Sequence, residues 1–242
     1  MRARDPLRRR RRVRDRRDLR SAAKTTDSHG RRAHRVRQSP REVISLQRAL
    51  AKPHVRVIGI DDGAFGRDQK TAPLVGVVVS TPTYVEAIVR SRVPIDGTDA
   101  TERIIALVEH SGHQEGIRAI LLDGIAVGGF NVIDLDALYE RLQIPVVSVT
   151  PRAPNFARIR AALLEYFPAD FARRWAIVRA HRLYRVPIGD GTLRATAVGC
   201  SRREASALVA RTTILGHWPE PLRLAHLVAR AGFHRRRLGV NP

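Results

Sequence analysis

Two aspartates stand at the ends of apolar runs, and each run passes at once into a glycine turn: V-R-V-I-G-I-D-D-G at residues 55–63 and I-R-A-I-L-L-D-G at residues 117–124. Runs of this kind read as buried strands, so Asp61 and Asp123 sit where a strand leaves the core and are held rigidly. If the two strands are parallel neighbours the carboxylates meet, and they repel unless a cation lies between them or one takes up a proton. Mg²⁺ (or Mn²⁺ in its place) prefers hard oxygen ligands and commonly uses one or two carboxylates together with a substrate phosphate. Bound there, it would activate a water and stabilise the leaving oxygen of a phosphodiester. Each acid also has a plainer reading. Aspartate before glycine is ordinary turn chemistry, and the side chain of Asp62 should point away from that of Asp61.

The intervening chain supplies elements that would make the strands neighbours. Residues 73–80 and 84–93 are β-branched runs separated by T-P-T, which predicts an antiparallel meander. A helix over 99–110 leads into the strand that ends at Asp123. D-L-D-A-L-Y-E-R-L, a strand at 144–149 and a helix at 155–167 follow, for an order βββαβαβα. A crossover from the third strand returns the fourth parallel to the first, which is a ribonuclease H-like mixed sheet flanked by helices. Asp99 with Glu102 three residues on has the form of a helix start, so Asp99 reads equally as a cap or as a ligand.

A chain of 242 residues, 43% hydrophobic, is long enough for one sizeable core. Its single cysteine, Cys200, excludes an internal disulfide and a thiolate metal cluster, and a reducing, cytoplasmic setting is expected. No apolar run approaches the roughly 20 residues of a spanning helix, so no membrane partner is expected. Charge is uneven. Residues 1–56 hold 20 Lys and Arg against 5 Asp and Glu, and the remainder holds 24 against 18. Residues 1–54 therefore read as a basic extension without fixed structure, save a short helix around 43–50, and residues 55–242 as the domain. The extension is either a nucleic-acid-binding arm, since clustered arginines displace counterions from phosphates, or an upstream extension included by an over-long translation start.

Four motifs in order, G-I-D-D-G at 59–63, D-G-T-D-A-T at 96–101, L-D-G-I-A-V-G-G-F-N at 122–131 and P-E-P-L-R-L-A-H-L-V-A at 219–229, resemble the mostly archaeal family called domain of unknown function 99. That family is similar to endonuclease V, a magnesium-dependent enzyme of ribonuclease H-like fold that cleaves nucleic acid near deaminated bases. The resemblance implies a metal site with Asp61 and Asp123 as catalytic and metal-binding residues. The third acid of endonuclease V would land near Thr101, which Asp99 and Glu102 flank, and Asp99 is the favoured counterpart. Its wedge tyrosine has no counterpart in S-R-V-P at 91–94, its histidine falls on Gly129, and its lysine corresponds at best to Arg152. Arg152 and Asn131 are the expected nucleic-acid contacts, and the glycines of 124–131 would let a phosphate backbone approach.

In the last third, residues 182–185 and 193–198 read as strands, Ser201 to Glu204 as a capping box opening a helix to about 213, and Pro219 and Pro221 as the start of another. The expected place of a lone histidine on that apolar last helix is the core, with a substrate cleft as the alternative for His226. No histidine or cysteine spacing fits zinc. Two other functions remain open: a nucleic-acid-binding module that kept the fold and lost the chemistry, and a nucleotide-binding ATPase-like protein, to whose first phosphate loop G-I-D-D-G with Lys70 is similar.

Overall fold

A computed structural model describes residues 45–66 and 68–237. The expected meander is present: β1 (Arg56–Asp62), β2 (Thr71–Ser80) and β3 (Tyr84–Pro94) pair antiparallel. Helix α2 (Ala100–Glu109) carries the chain back to β4 (Ala119–Asp123), which lies parallel to β1 with Ile60 opposite Leu122. A two-strand ribbon, β5 (Ala126–Val127) and β6 (Asn131–Val132), and helix α3 (Leu135–Leu142) lead to β7 (Val146–Thr150), parallel to β4. Helices α4 (Phe156–Tyr166) and α5 (Phe171–Arg179) precede β8 (Tyr184–Ile188) and β9 (Gly191–Val198), and α6 (Arg202–Thr212) and α7 (Glu220–Arg237) close the chain. The sheet order is β3-β2-β1-β4-β7-β9-β8, with β9 antiparallel to β7.

Strand alternation divides the core in two. On one face Ile58, Ile60, Ile120 and Leu122 pack against Ile104, Leu107 and Val108 of α2 and Leu138 and Leu142 of α3. On the other, Val57, Leu121, Val147 and Val149 meet Leu208 and Val209 of α6 and Leu222 of α7. Local chemistry sets the helix starts. Asp134 accepts from the Ala137 amide at 3.1 Å, and Ser201 and Glu204 form the reciprocal box expected of them.

Two expectations are corrected. The folded part begins before residue 55, because helix α1 (Leu46–Leu50) buries Leu46 and Ala49 in the second core and Glu204 accepts from the Gln47 amide at 3.0 Å. Residues 1–44 of the basic segment lie outside the described residues. Helix α5 was not expected, since its three arginines obscure the apolar period. Its buried face is made by Val178 and by Arg174, a residue that sequence patterning counts as exposed.

Candidate metal centre

Asp61 and Asp123 each stand one residue beyond the register pair Ile60 and Leu122, on the face that also carries Gly59 and Leu121. That face is covered by α7. A Cβ on Gly59 would run into the carbonyl of Pro221 and sit 2.7 Å from the Leu222 amide nitrogen, and one on Gly63 would lie 2.7 Å from the Ala229 carbonyl oxygen. The glycines of G-I-D-D-G therefore seat α7 directly on the β1 backbone, which is a different use from a phosphate loop. The seat sets His226 over the first acid: its Nδ1 is 2.8 Å from Asp61 Oδ2.

Asp61, Asp123 and His226 each offer a ligand atom, and the three atoms lie within 4.8 Å of one another. Asp61 is buried, with the Asp62 amide donating to its Oδ1 at 2.8 Å, while His226 is about half exposed. Among the described residues no hydrogen-bond donor faces the Asp123 carboxylate. Burial pushes its carboxyl up to about 6, and the neighbouring Asp61 adds to the rise. Burial also raises Asp61, against the lowering effect of the His226 contact. Two desolvated carboxylates and an accessible imidazole within reach of one another fit a divalent cation with open positions for water or phosphate. His226 is thus an exposed residue in contact with Asp61, not the core residue expected. Its signal lay in the two glycines that must face a helix.

The other candidates have different surroundings. Asp99 is outside this group. Its Oδ1 accepts from Asn131 Nδ2 at 3.0 Å and its Oδ2 from Arg103 Nε at 2.9 Å, and its side chain does not cap α2. The cap is Asn131, whose Oδ1 accepts from the Ala100 amide at 2.9 Å. Asn131 is fully buried, so the expectation that it contacts nucleic acid is corrected: its amide is consumed in joining β6 to α2. Asp62 points away from Asp61, as expected, and its Oδ2 accepts from the Gly128 amide at 2.6 Å. That bond and the Asp96 carboxylate, which accepts from the Phe130 amide at 2.8 Å, fix the loop after Asp123. At Gly129 φ is 86° and a Cβ would run into Asp96, so no histidine fits there in this loop conformation. Gly124, with φ 73°, faces open space. Arg152 is exposed beyond the end of β7, at the same pole of the sheet.

A cavity of about 180 Å³ opens at Gly124. It is mainly apolar, walled by Phe130 of the loop, Ser148 and Thr196 of the sheet, and Ile159 and Ile177 of α4 and α5.

An antiparallel meander, a parallel return through a helix, and acids at the ends of the two central strands define a ribonuclease H-like protein of the endonuclease V type. The chain belongs to the Endonuclease dU family, whose model matches residues 53–233. A UPF0215 protein of Methanosarcina barkeri is 38% identical over 179 residues, 74% of this chain and 90% of the relative. The crystal structure of a protein of unknown function from Archaeoglobus fulgidus is similar with a TM-score of 0.67 and 36% identity, over 73% of this chain and 97% of that one. Endonuclease V of Ciona intestinalis, solved in complex with a 24mer DNA containing an inosine followed by a ribo-adenosine, shares the fold with a TM-score of 0.50 at 14% identity, over 77% and 87% of the two chains. No helix among the described residues is long and apolar enough to cross a membrane.

Proposed function

We propose that the protein is a divalent-metal-dependent endonuclease that cleaves phosphodiester bonds in nucleic acid, with Asp61, Asp123 and His226 holding the ion. The observation that carries this reading is the convergence of their ligand atoms within 4.8 Å at the ends of adjacent parallel strands. Mg²⁺ or Mn²⁺ at that point would supply an activated water and charge stabilisation for the leaving oxygen. The chain's own groups do the rest. Asp61 is held in place by the Asp62 amide and by α7, and Asp123, to which no described residue donates, would have its carboxylate available for the ion. Arg152, exposed at the same pole, pairs with the substrate phosphate. The cavity at Gly124 offers an apolar slot, with the hydroxyl-bearing Ser148 and Thr196 on its wall, suited to an unstacked base. The family's name points to uracil, the base of deoxyuridine, as its occupant.

The test is cleavage of an end-labelled oligonucleotide carrying one deoxyuridine, with inosine and unmodified strands alongside. Cleavage that requires Mg²⁺ or Mn²⁺ and disappears in Asp61→Asn and Asp123→Asn, with both variants melting as cooperatively as the native chain, is the expected result. A second reading, a binding module without catalysis, draws on Asp99: its carboxylate is engaged by Arg103 and Asn131, so the centre has two acids and no third. Metal-independent binding with no cleavage of any strand would favour it.

A further inference from the structure

The α4–α5 hairpin carries a surface that the metal centre does not use. Five of the chain's twelve aromatic residues, Phe156, Tyr166, Phe167, Phe171 and Trp175, fall in this short stretch. A pair of helices using them only for packing would turn all five inward, yet Phe156 is 39% exposed and Tyr166 65%. Arginine is concentrated in the same place. Residues 152–182 hold seven arginines and two carboxylates, Glu165 and Asp170. The buried Arg174 takes Asp170 for itself. Among the described residues, no carboxylate pairs with Arg152, Arg158, Arg160, Arg173, Arg179 or Arg182.

The two residue types form one row. The Arg160 guanidinium lies 5.8 Å from the centre of the Phe171 ring. Phe171 and Trp175 are nearly parallel, with ring centres 6.3 Å apart and planes inclined by 14°. The Arg179 guanidinium lies 5.7 Å from the Trp175 ring. The order is therefore cation, ring, ring, cation, with both rings partly exposed. Ile159 and Ile177 of the same helices wall the cavity that opens beside Asp123, so the row borders the centre.

Unpaired arginines attract phosphates without reading sequence, and aromatic faces accept any base by stacking. A duplex presents phosphates but no free base faces, so the two together select an unpaired strand. We propose that Arg160, Phe171, Trp175 and Arg179 form a platform for single-stranded nucleic acid, which holds the strand next to the metal centre. This rests on the nucleic-acid reading of the centre and adds to it the form of the strand.

The test uses the full chain carrying Asp123→Asn, in EDTA, with a labelled 20mer of oligodeoxythymidine and a duplex of equal length. The arginine-rich first 44 residues then contribute equally to every variant. Arg160→Gln with Arg179→Gln should weaken binding of the 20mer about tenfold at 100 mM salt and flatten the log–log salt slope by about 1.4, since each phosphate on a single strand is worth about 0.7. Duplex binding should change less. The 20mer should also quench tryptophan emission, and Trp175→Phe, which keeps a ring for stacking, should remove that quench while Trp218 still emits. Unchanged affinity and slope in the double variant, an undiminished quench in Trp175→Phe, an equal loss on duplex, or failure of the parent to bind the 20mer each overturns the proposal. Metal-dependent cleavage by the native chain alongside any of these would leave the nuclease reading standing. Intact platform effects with no cleavage would sink that reading alone.

Discussion

In the proposed nuclease the chemistry would turn on Asp123 and His226, and each makes a separable prediction. Burial and the nearby Asp61 hold the Asp123 carboxyl at about 6, against an ordinary value of 3.8. A carboxyl raised in the folded state binds its proton more tightly there than in the unfolded chain. Its contribution to stability is therefore complete below about pH 4 and is lost as the pH rises through about 6. In EDTA, Asp123→Asn should accordingly stabilise the protein by on the order of 1–2 kcal/mol at pH 7.5, after allowing for solvent screening, and be nearly neutral at pH 4. Urea melts at the two pH values measure this. An equal gain at both would place the effect outside titration. His226→Ala removes a proposed ligand and strips Asp61 Oδ2 of its partner. The rise in melting temperature produced by Mn²⁺ should shrink to what at least a tenfold weaker affinity gives, and an unchanged rise would remove His226 from the centre.

At the scale of elements, the centre depends on how closely α7 approaches β1. Gly59→Ala sets a methyl group against backbone at Pro221 and Leu222, which cannot turn aside as a side chain can. The helix must lift, at a cost of roughly 2–3 kcal/mol, and His226 lifts with it. Stability and Mn²⁺ binding should fall together, and a loss of stability with full metal binding would show that His226 reaches Asp61 without that seat. Helix α1 is short, but it belongs to the fold. Leu46→Ala should cost about 2–4 kcal/mol in chemical denaturation because Leu46 is 97% covered in the second core. A loss below about 0.5 kcal/mol would return residues 45–54 to the extension.

At the scale of the molecule, basic charge is concentrated in two stretches of the chain. Residues 57–242 carry 24 Lys and Arg against 18 acids, and within them residues 152–182 hold seven arginines against two acids. The first 44 residues carry 17 against 5. Deleting residues 1–44 should flatten the salt dependence of nucleic-acid binding by two units or more, which corresponds to about three phosphates on a single strand. The position of the cleavage site should not move, because the proposed centre is built from Asp61, Asp123 and His226. An unchanged slope would show that the segment is not a binding arm.

Local pattern was enough for the acid-bearing strands. Apolar runs ending in Asp61 and Asp123, a T-P-T hairpin and a helical crossover leave few ways to pair β1, β2, β3 and β4, because alternation and short connections prune the alternatives. The capping box at Ser201 is legible for the same reason: it needs only four consecutive residues. Whatever depends on partners distant in the chain was decided by the tertiary structure. His226 lies 165 residues from Asp61, and an apolar helix does not announce which of its polar positions will face a carboxylate. Asn131 resembled a surface residue of a glycine loop until β6 placed it under the start of α2, where its amide serves Ala100, Pro94 and Asp99 at once. Arg174, which local pattern assigns to solvent, is buried because Asp170, the Phe130 and Asp96 carbonyls and the Phe167 ring together replace its water. A charge can be buried only where several groups compensate it at once, and those groups come together only when the chain has folded.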